Sequence, residues 1–196
     1  LHHVDELVAQ KLDIFVGPNF LVTNHASEVK GIFDTRGIVA KHPGSLLRSP
    51  DWLLHGILNT VIDYCNPAME GLEARIDRIA EAASNGLGGL EDAIDLNKDL
   101  RLFRDVTANQ QGALERLGYS NESYVSEENR HYFRDVHDHN RHLHHRAVQG
   151  LEKLAWALDT VRGSDSRRTQ NAVRWGVALA TAFLFPLLVV SSLSLP

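Results

Sequence analysis

The chain has 196 residues, 23% of them charged, with 25 acidic against 20 basic side chains and a formal net charge of −5. That length allows one or two domains, and the acidic balance excludes nucleic acid as a partner, which would need a basic face. A lone Cys65 excludes an internal disulfide and suits a reducing compartment.

Leu1 to Gln10 lacks the apolar run of a signal peptide. The chain starts without Met and stops at Pro196, and we read it as part of a longer protein. Residues 11–25, KLDIFVGPNFLVTNH, hold two β-rich runs around Gly17-Pro18-Asn19, a hairpin signal. No other stretch reads as convincing β structure. We take the hairpin as the end of a small α/β domain, with edge strands that need a partner elsewhere.

From Ser49 onward the reading is helical. Ser49-Pro50-Asp51 is a helix start, with Pro in the first turn. Leu53, Ile57, Val61, Met69, Leu72, Ile76 and Ile79 keep helical spacing, and Pro67 should kink the run or lodge in a turn. Residues 85–89, NGLGG, break it. A second helix is predicted over 90–117, with Ile94, Leu100, Phe103, Val106, Ala113 and Leu114 inward. The two helices read as an antiparallel hairpin. Residues 118–126 form a second break.

A third helix starts near Glu127. Gly150 and Gly163 weaken it without ending it. Continued to Leu195 it would be about 100 Å long. Ala147, Leu151, Leu154, Leu158 and Val161 alternate steps of four and three, a spacing that suits packing on copies of itself or on the first two helices. Residues 175–195, WGVALATAFLFPLLVVSSLSL, carry no charge. Roughly 20 such residues cross a bilayer. Arg167, Arg168 and Arg174 just before them mark the cytoplasmic side. The expectation is a membrane protein with most of this chain cytoplasmic. One span cannot enclose a pore, so transport would need several subunits.

Two side-chain constellations carry chemistry. Asp135, Asp138, His139, His142 and His145 recur at steps of three and four on the third helix. Carboxylates suit Mg²⁺, whereas imidazole suits Zn²⁺, Ni²⁺ or Co²⁺. Six histidines fall between 131 and 145, to be read as a softer-metal sensor or as a solvated face. Acidic residues crowd the hairpin at Glu70, Glu73, Asp77, Glu81, Glu91, Asp92 and Asp95, a solvated face that can also concentrate cations. No phosphate-binding Gly loop and no HExxH occurs, so the sequence does not read as an enzyme.

Residues 132–139, YFRDVHDH, the Asn171 before the span and Phe185-Pro186-Leu187 within it resemble the CorA family of divalent-cation channels. The hairpin and residues 57–72 fit it as well. The resemblance implies a fold that is mainly α with a small α/β N-terminal part: a funnel-shaped homopentamer whose stalk helix becomes the first transmembrane helix. On that scheme 1–45 ends the α/β domain, 46–126 is an outer helical hairpin, 127–173 the stalk, and 174–196 the first of two spans, the second lying outside this chain. It implies a channel or transporter for divalent ions at the cell membrane: Mg²⁺ by family default, with Co²⁺ and Ni²⁺, and Zn²⁺ as in the ZntB branch. The partners are copies of itself, lipid and metal cations.

By the same resemblance Asn171 forms a polar ring at the cytoplasmic end of the pore, and the steps of three and four from it reach Arg174, Thr181, Phe185 and Leu188. Thr181 would offer hydroxyls, while Phe185, extended by Leu188, occupies the place of an apolar gate that closes by dewetting. Asn171 as a helix bridge and Thr181 bonding its own backbone are the competing readings. Arg174 fits a pore badly and is read as snorkelling to the membrane surface. Asp135 corresponds to a carboxylate that helps bind a regulatory divalent ion between subunits. Where the family carries Gly-Met-Asn this chain has Ser194-Leu195-Pro196. That departure motivates the alternative of a non-conducting, membrane-anchored metal sensor or scaffold.

Overall fold

The computed structural model describes residues 7–85, 90–120 and 122–159. Strands β1 (Leu12–Val16) and β2 (Leu21–His25) pair antiparallel, with Leu12 opposite His25 and Val16 opposite Leu21. The turn between them is the one the sequence marks. A Cβ at its Gly17 would sit 2.2 Å from the exposed Phe20 ring, which would have to swing aside. Ile14, Val16 and Leu21 face the core. The cross-strand pair Phe15 and Val22 stays outward and exposed.

Two helices follow that the sequence reading did not predict, α1 (Lys30–Lys41) and α2 (Pro43–Leu46). Gly31, Gly37 and several β-branched residues give α1 weak intrinsic propensity, so tertiary contact decides. Gly31 lets α1 close onto α3 (Pro50–Asp63): a Cβ there would meet the Val61 Cγ2 at 2.7 Å. Thr35 is buried at the same crossing, its hydroxyl donating to the Gly31 carbonyl at 2.7 Å.

The helix expected to run from residue 49 to 84 is two helices, α3 and α4 (Cys65–Ser84), divided at Tyr64. Pro67 is the cause. Its ring excludes the carbonyl of Asp63, which is where α3 stops. The inward stripe of α3 is Leu54, Ile57 and Ile62, rotated from the predicted one. Leu53 is half-buried and Val61 serves the α1 contact instead.

Helix α5 (Leu90–Tyr119) then returns, and α6 runs helically from 130 to 159. The turn at 127–129 delays α6 by three residues against the prediction. On α5 the buried face is Ala93, Leu96, Leu100, Phe103, Thr107 and Leu114, while Ile94, expected inward, is 60% exposed and Ala113 is exposed. Ile94 lies about 100° around the helix from Ala93, enough to leave the seam.

Helices α4, α5 and α6 share one core of Met69, Leu72, Ile76, Leu96, Leu100, Val136, Leu143, Ala147 and Leu154. Ala147 and Leu154 are thus spent within the subunit, with Leu151 and Leu158 half-buried against the same core, and Val161 lies outside the described residues. Gly150 lets side chains of α4 and α5 approach α6 closely: a Cβ would be 3.0 Å from Ile76 Cδ1 and 3.1 Å from Leu100 Cδ2. Among the described residues no helix is long and apolar enough to cross a membrane. The predicted span 174–196, with Asn171, Thr181, Phe185 and Leu188, lies outside them.

Candidate metal face of α6

Polar pairs fix how α6 lies on its neighbours. Arg146 donates two bonds to the Glu73 carboxylate, Nε at 3.0 Å and Nη2 at 2.7 Å. Hydrogen bonding to Arg146 holds Glu73 below the usual carboxylate range despite partial burial, helped by the charge of Arg146, Lys153 and His142. The Asn66 amide meets His139 Nε2 at 2.9 Å. Both pairs span 73 residues, so α4 and α6 run parallel in one register. Helix α5 is antiparallel to both: Arg75 of α4 binds Asp99, and Asn140 Nδ2 of α6 donates to the Thr107 carbonyl at 2.9 Å.

The start of α6 is clasped to the start of α3 by one buried carboxylate. Asp51 is 3% exposed and accepts from Ser49, from the Trp52 amide at 3.0 Å, and from the Ser126 amide and hydroxyl at 3.0 and 2.7 Å. Burial pushes its pKa up, but the Ser49 and Ser126 hydrogen bonds outweigh it and leave the group below its ordinary value.

The octapeptide 132–139 divides sharply by role. Tyr132 packs its ring 5.1 Å from Trp52 and 5.4 Å from His55, and Phe133 is fully buried beside Leu54 and Val125. Arg134 Nε donates to the Gly118 carbonyl at 3.0 Å, its guanidinium over Tyr119, which caps the last turn of α5. Val136 is in the core. His137 lies edge-on to Tyr119 and 3.2 Å from Asp138, which Arg141 also approaches at 3.4 Å. Asp135 is exposed and makes no hydrogen bond or ion pair among the described residues. Its charge is felt by His55, whose pKa is lowered by burial and by His131 and partly restored by Asp135.

The predicted metal residues therefore separate. Asp135, Asp138 and His142 stand exposed on one face. His139 turns to α4, held at Asn66 and with Nδ1 4.0 Å from Asp63. Among the described residues no three His, Cys, Asp or Glu side chains stand together closely enough to hold a metal within one subunit. The sequence reading missed His55, Asn66 and Asp63 as neighbours of this region, because no local signal reports a 73-residue register.

An apolar cavity of about 950 Å³ lies apart from this face, between the hairpin, α3 and α5, lined by side chains such as Ile14, Phe15, Leu58, Phe103 and Leu117. Cys65 on its wall has its thiol pKa raised by burial, the wrong direction for a nucleophile.

A family model described as "CorA-like Mg2+ transporter protein" matches residues 2–193. The Bacillus subtilis protein named "Putative metal ion transporter YfjQ" is 25% identical over 194 residues, which are 98% of this chain and 57% of that protein. The chain thus spans little more than half the length of that curated relative. The CorA magnesium transporter structure from Methanocaldococcus jannaschii superposes with a TM-score of 0.84 at 18% identity, over 93% of this chain and 59% of that one. The ZntB cytoplasmic domain from Vibrio parahaemolyticus does so at 0.70 and 18% identity, over 81% and 62%. At such identity the two structures establish the fold: mainly helical, with two N-terminal strands.

Proposed function

The chain belongs to the CorA-like family, and from that premise we propose that the protein containing it is a homopentameric membrane channel or transporter for divalent metal cations. In this reading α6 is the stalk and continues into the apolar span 174–196. Asn171 and Thr181 line the pore, with Phe185 and Leu188 as its apolar gate. The cargo is a divalent ion, Mg²⁺ by family default. Co²⁺ and Ni²⁺ are its companions and Zn²⁺ the competing assignment.

The observation that carries the reading is the division of labour within residues 132–139. Tyr132, Phe133, Arg134, Val136, His137 and His139 contact α3, α4, α5 or the core, Asp138 pairs along α6 with His137 and Arg141, and Asp135 keeps an exposed carboxylate with no hydrogen bond or ion pair among the described residues. A carboxylate with no partner fits a hard divalent ion. A regulatory ion would be held by Asp135, with Asp138 and His142 next along the same face and the remaining ligands from a second copy. His139 fits that role less well, since Asn66 already engages its Nε2 and turns the ring toward α4, with Asp63 4.0 Å from Nδ1. An ion bound between copies favours whichever arrangement of subunits assembles the ligands, which is regulation by differential affinity.

The test is ion flux into liposomes carrying the full-length protein, for Mg²⁺, Co²⁺, Ni²⁺ and Zn²⁺, with and without a pH gradient. Phe185→Ala should raise flux, and Asp135→Asn should relieve inhibition by the divalent ion on the cytoplasmic side. Silence for every ion, with oligomers confirmed, refutes transport. It would favour the non-conducting sensor or scaffold, a reading that the Ser194-Leu195-Pro196 departure keeps in play.

A further inference from the structure

The joint between α3 and the start of α6 is closed by a stack of rings with basic groups set into it. The Arg48 guanidinium lies 4.9 Å over the Trp52 ring, Trp52 lies 5.1 Å from Tyr132, and His131 stacks on Tyr132 at 3.8 Å. His55 sits between the two helices. Its imidazole is half-buried, 6.4 Å from Trp52, 5.4 Å from Tyr132 and edge-on to Phe133 at 5.8 Å. The faces of Trp52 and Tyr132 could stabilise a charged imidazole, but Arg48, a fixed cation, already sits on the first, and His131 covers the second. Asp51, one turn before His55, is spent on Ser49 and Ser126. Asp135 acts on His55 through space, without a hydrogen bond or ion pair. From the hairpin and α5 come apolar side chains, Ile14, Val16, Leu21 and Leu117.

We propose that His55 is a proton-operated latch between α3 and α6. Neutral, it fills the space between Trp52, Tyr132 and Phe133 and closes the joint. Protonated, it places a second cation in a ring stack that already holds Arg48, with no carboxylate bonded to it, and the first turn of α6 parts from α3. The latch stands on the fold alone and holds whichever ion the whole protein moves. Burial disfavours the charged imidazole and His131 adds to this, against partial relief from Asp135, so the folded pKa lies below its ordinary value of 6.5. The unfolded chain therefore takes up the proton first. The contribution of His55 is fully present above 6.5 and is lost as pH falls from there toward the lower folded value. That window adjoins neutral pH, where histidine is the side chain suited to switching.

The test uses the full-length protein in mild detergent with chelator present, taken from about pH 7.5 to about pH 5. Tryptophan emission, with Trp52→Phe to isolate the signal of Trp52, gives the midpoint of the transition. Amide exchange, corrected for its intrinsic pH dependence, reads whether residues 125–135 open. In wild type the Trp52 emission should shift with a midpoint below 6.5, and exchange over 125–135 should speed up across it. His55→Phe, which keeps a ring and cannot take the proton, and His55→Gln should each abolish both changes. His131→Gln removes a like charge and should move the midpoint up, whereas Asp135→Asn removes an opposite charge and should move it down. A transition that persists in either His55 variant overturns the latch, as does its absence from wild type or a titration that leaves exchange over 125–135 unchanged. If both His55 variants unfold, a midpoint moved by neither His131→Gln nor Asp135→Asn overturns it.

Discussion

Replacing Gly150 by Ala sets two effects against each other. Ala is favoured over Gly inside a helix by about 1 kcal/mol. Against that, the new methyl would stand 3.0 Å from Ile76 Cδ1 and 3.1 Å from Leu100 Cδ2. Both neighbours are themselves buried, at 2% and 0% exposure, so neither side chain has free space to retreat into. Overpacking of that kind costs about 1–3 kcal/mol. The net for Gly150→Ala is a loss of about 0–2 kcal/mol. Gly112 on α5 provides the control, since a Cβ there meets nothing within 4 Å. Gly112→Ala should keep the whole gain of about 1 kcal/mol. The two variants should therefore differ by about 1–3 kcal/mol, or roughly 2–12 °C in melting temperature for a chain of this size. Thermal unfolding in mild detergent, followed by circular dichroism at 222 nm, reads the difference. Equal stabilisation by both substitutions would refute the close approach of α4, α5 and α6 at Gly150.

Phe133→Ala empties a fully buried site next to Leu54 and Val125 and should cost about 3–5 kcal/mol in the same assay. Arg146→Ala should cost only about 1 kcal/mol, because Glu73 is 39% exposed and can be rehydrated. Asp51 is held below its ordinary value of 3.8 in the folded chain, so its contribution is fully present above that value and is lost as pH falls through the lower folded value. A stability profile from pH 6 to pH 2 should therefore fall at the acid end, and Asp51→Asn should be less stable at pH 6 with a shallower fall. Asp135→Asn should leave stability unchanged in metal-free buffer, since the carboxylate has no bond to lose, and calorimetric titration with Mg²⁺ should show weaker binding.

What was legible in the sequence was whatever is written locally. The hairpin shows in alternating β-rich runs around Gly17-Pro18-Asn19, and α4 and α5 in apolar spacing over many turns. Residues 90–120 illustrate the limit. Periodicity announces a helix but does not choose between Ala93 and Ile94 as the inward residue, because small Ala93 is chosen by the closeness of its neighbours. Helix α1 was invisible because its stability comes from Gly31 meeting Val61, a contact absent from its own composition. For the candidate site, the exposed Asp135, Asp138 and His142 follow from helical spacing alone. The diversion of His139 does not, since it depends on α4 lying parallel to α6 with a fixed offset.

That offset has a consequence for how the chain folds. The hydrogen bonds from α6 to α4 close loops of 73 residues, while α4 and α5 meet across a short connection. Loop-closure entropy makes the α4–α5 and α5–α6 hairpins, bonded across 24 and 16 residues, the early events and the α4–α6 seam the late one. On the ribosome the same order is imposed by synthesis, since α6 emerges after both of its neighbours. Until it docks, the groove awaiting Leu143, Ala147 and Leu154 is open apolar surface. The clasp at Asp51 and Ser126 and the cap at Gly118 and Arg134 lie at the first-made end of α6. They can seat that end before the rest of the helix exists, so α6 closes over the groove from its N-terminus like a zip.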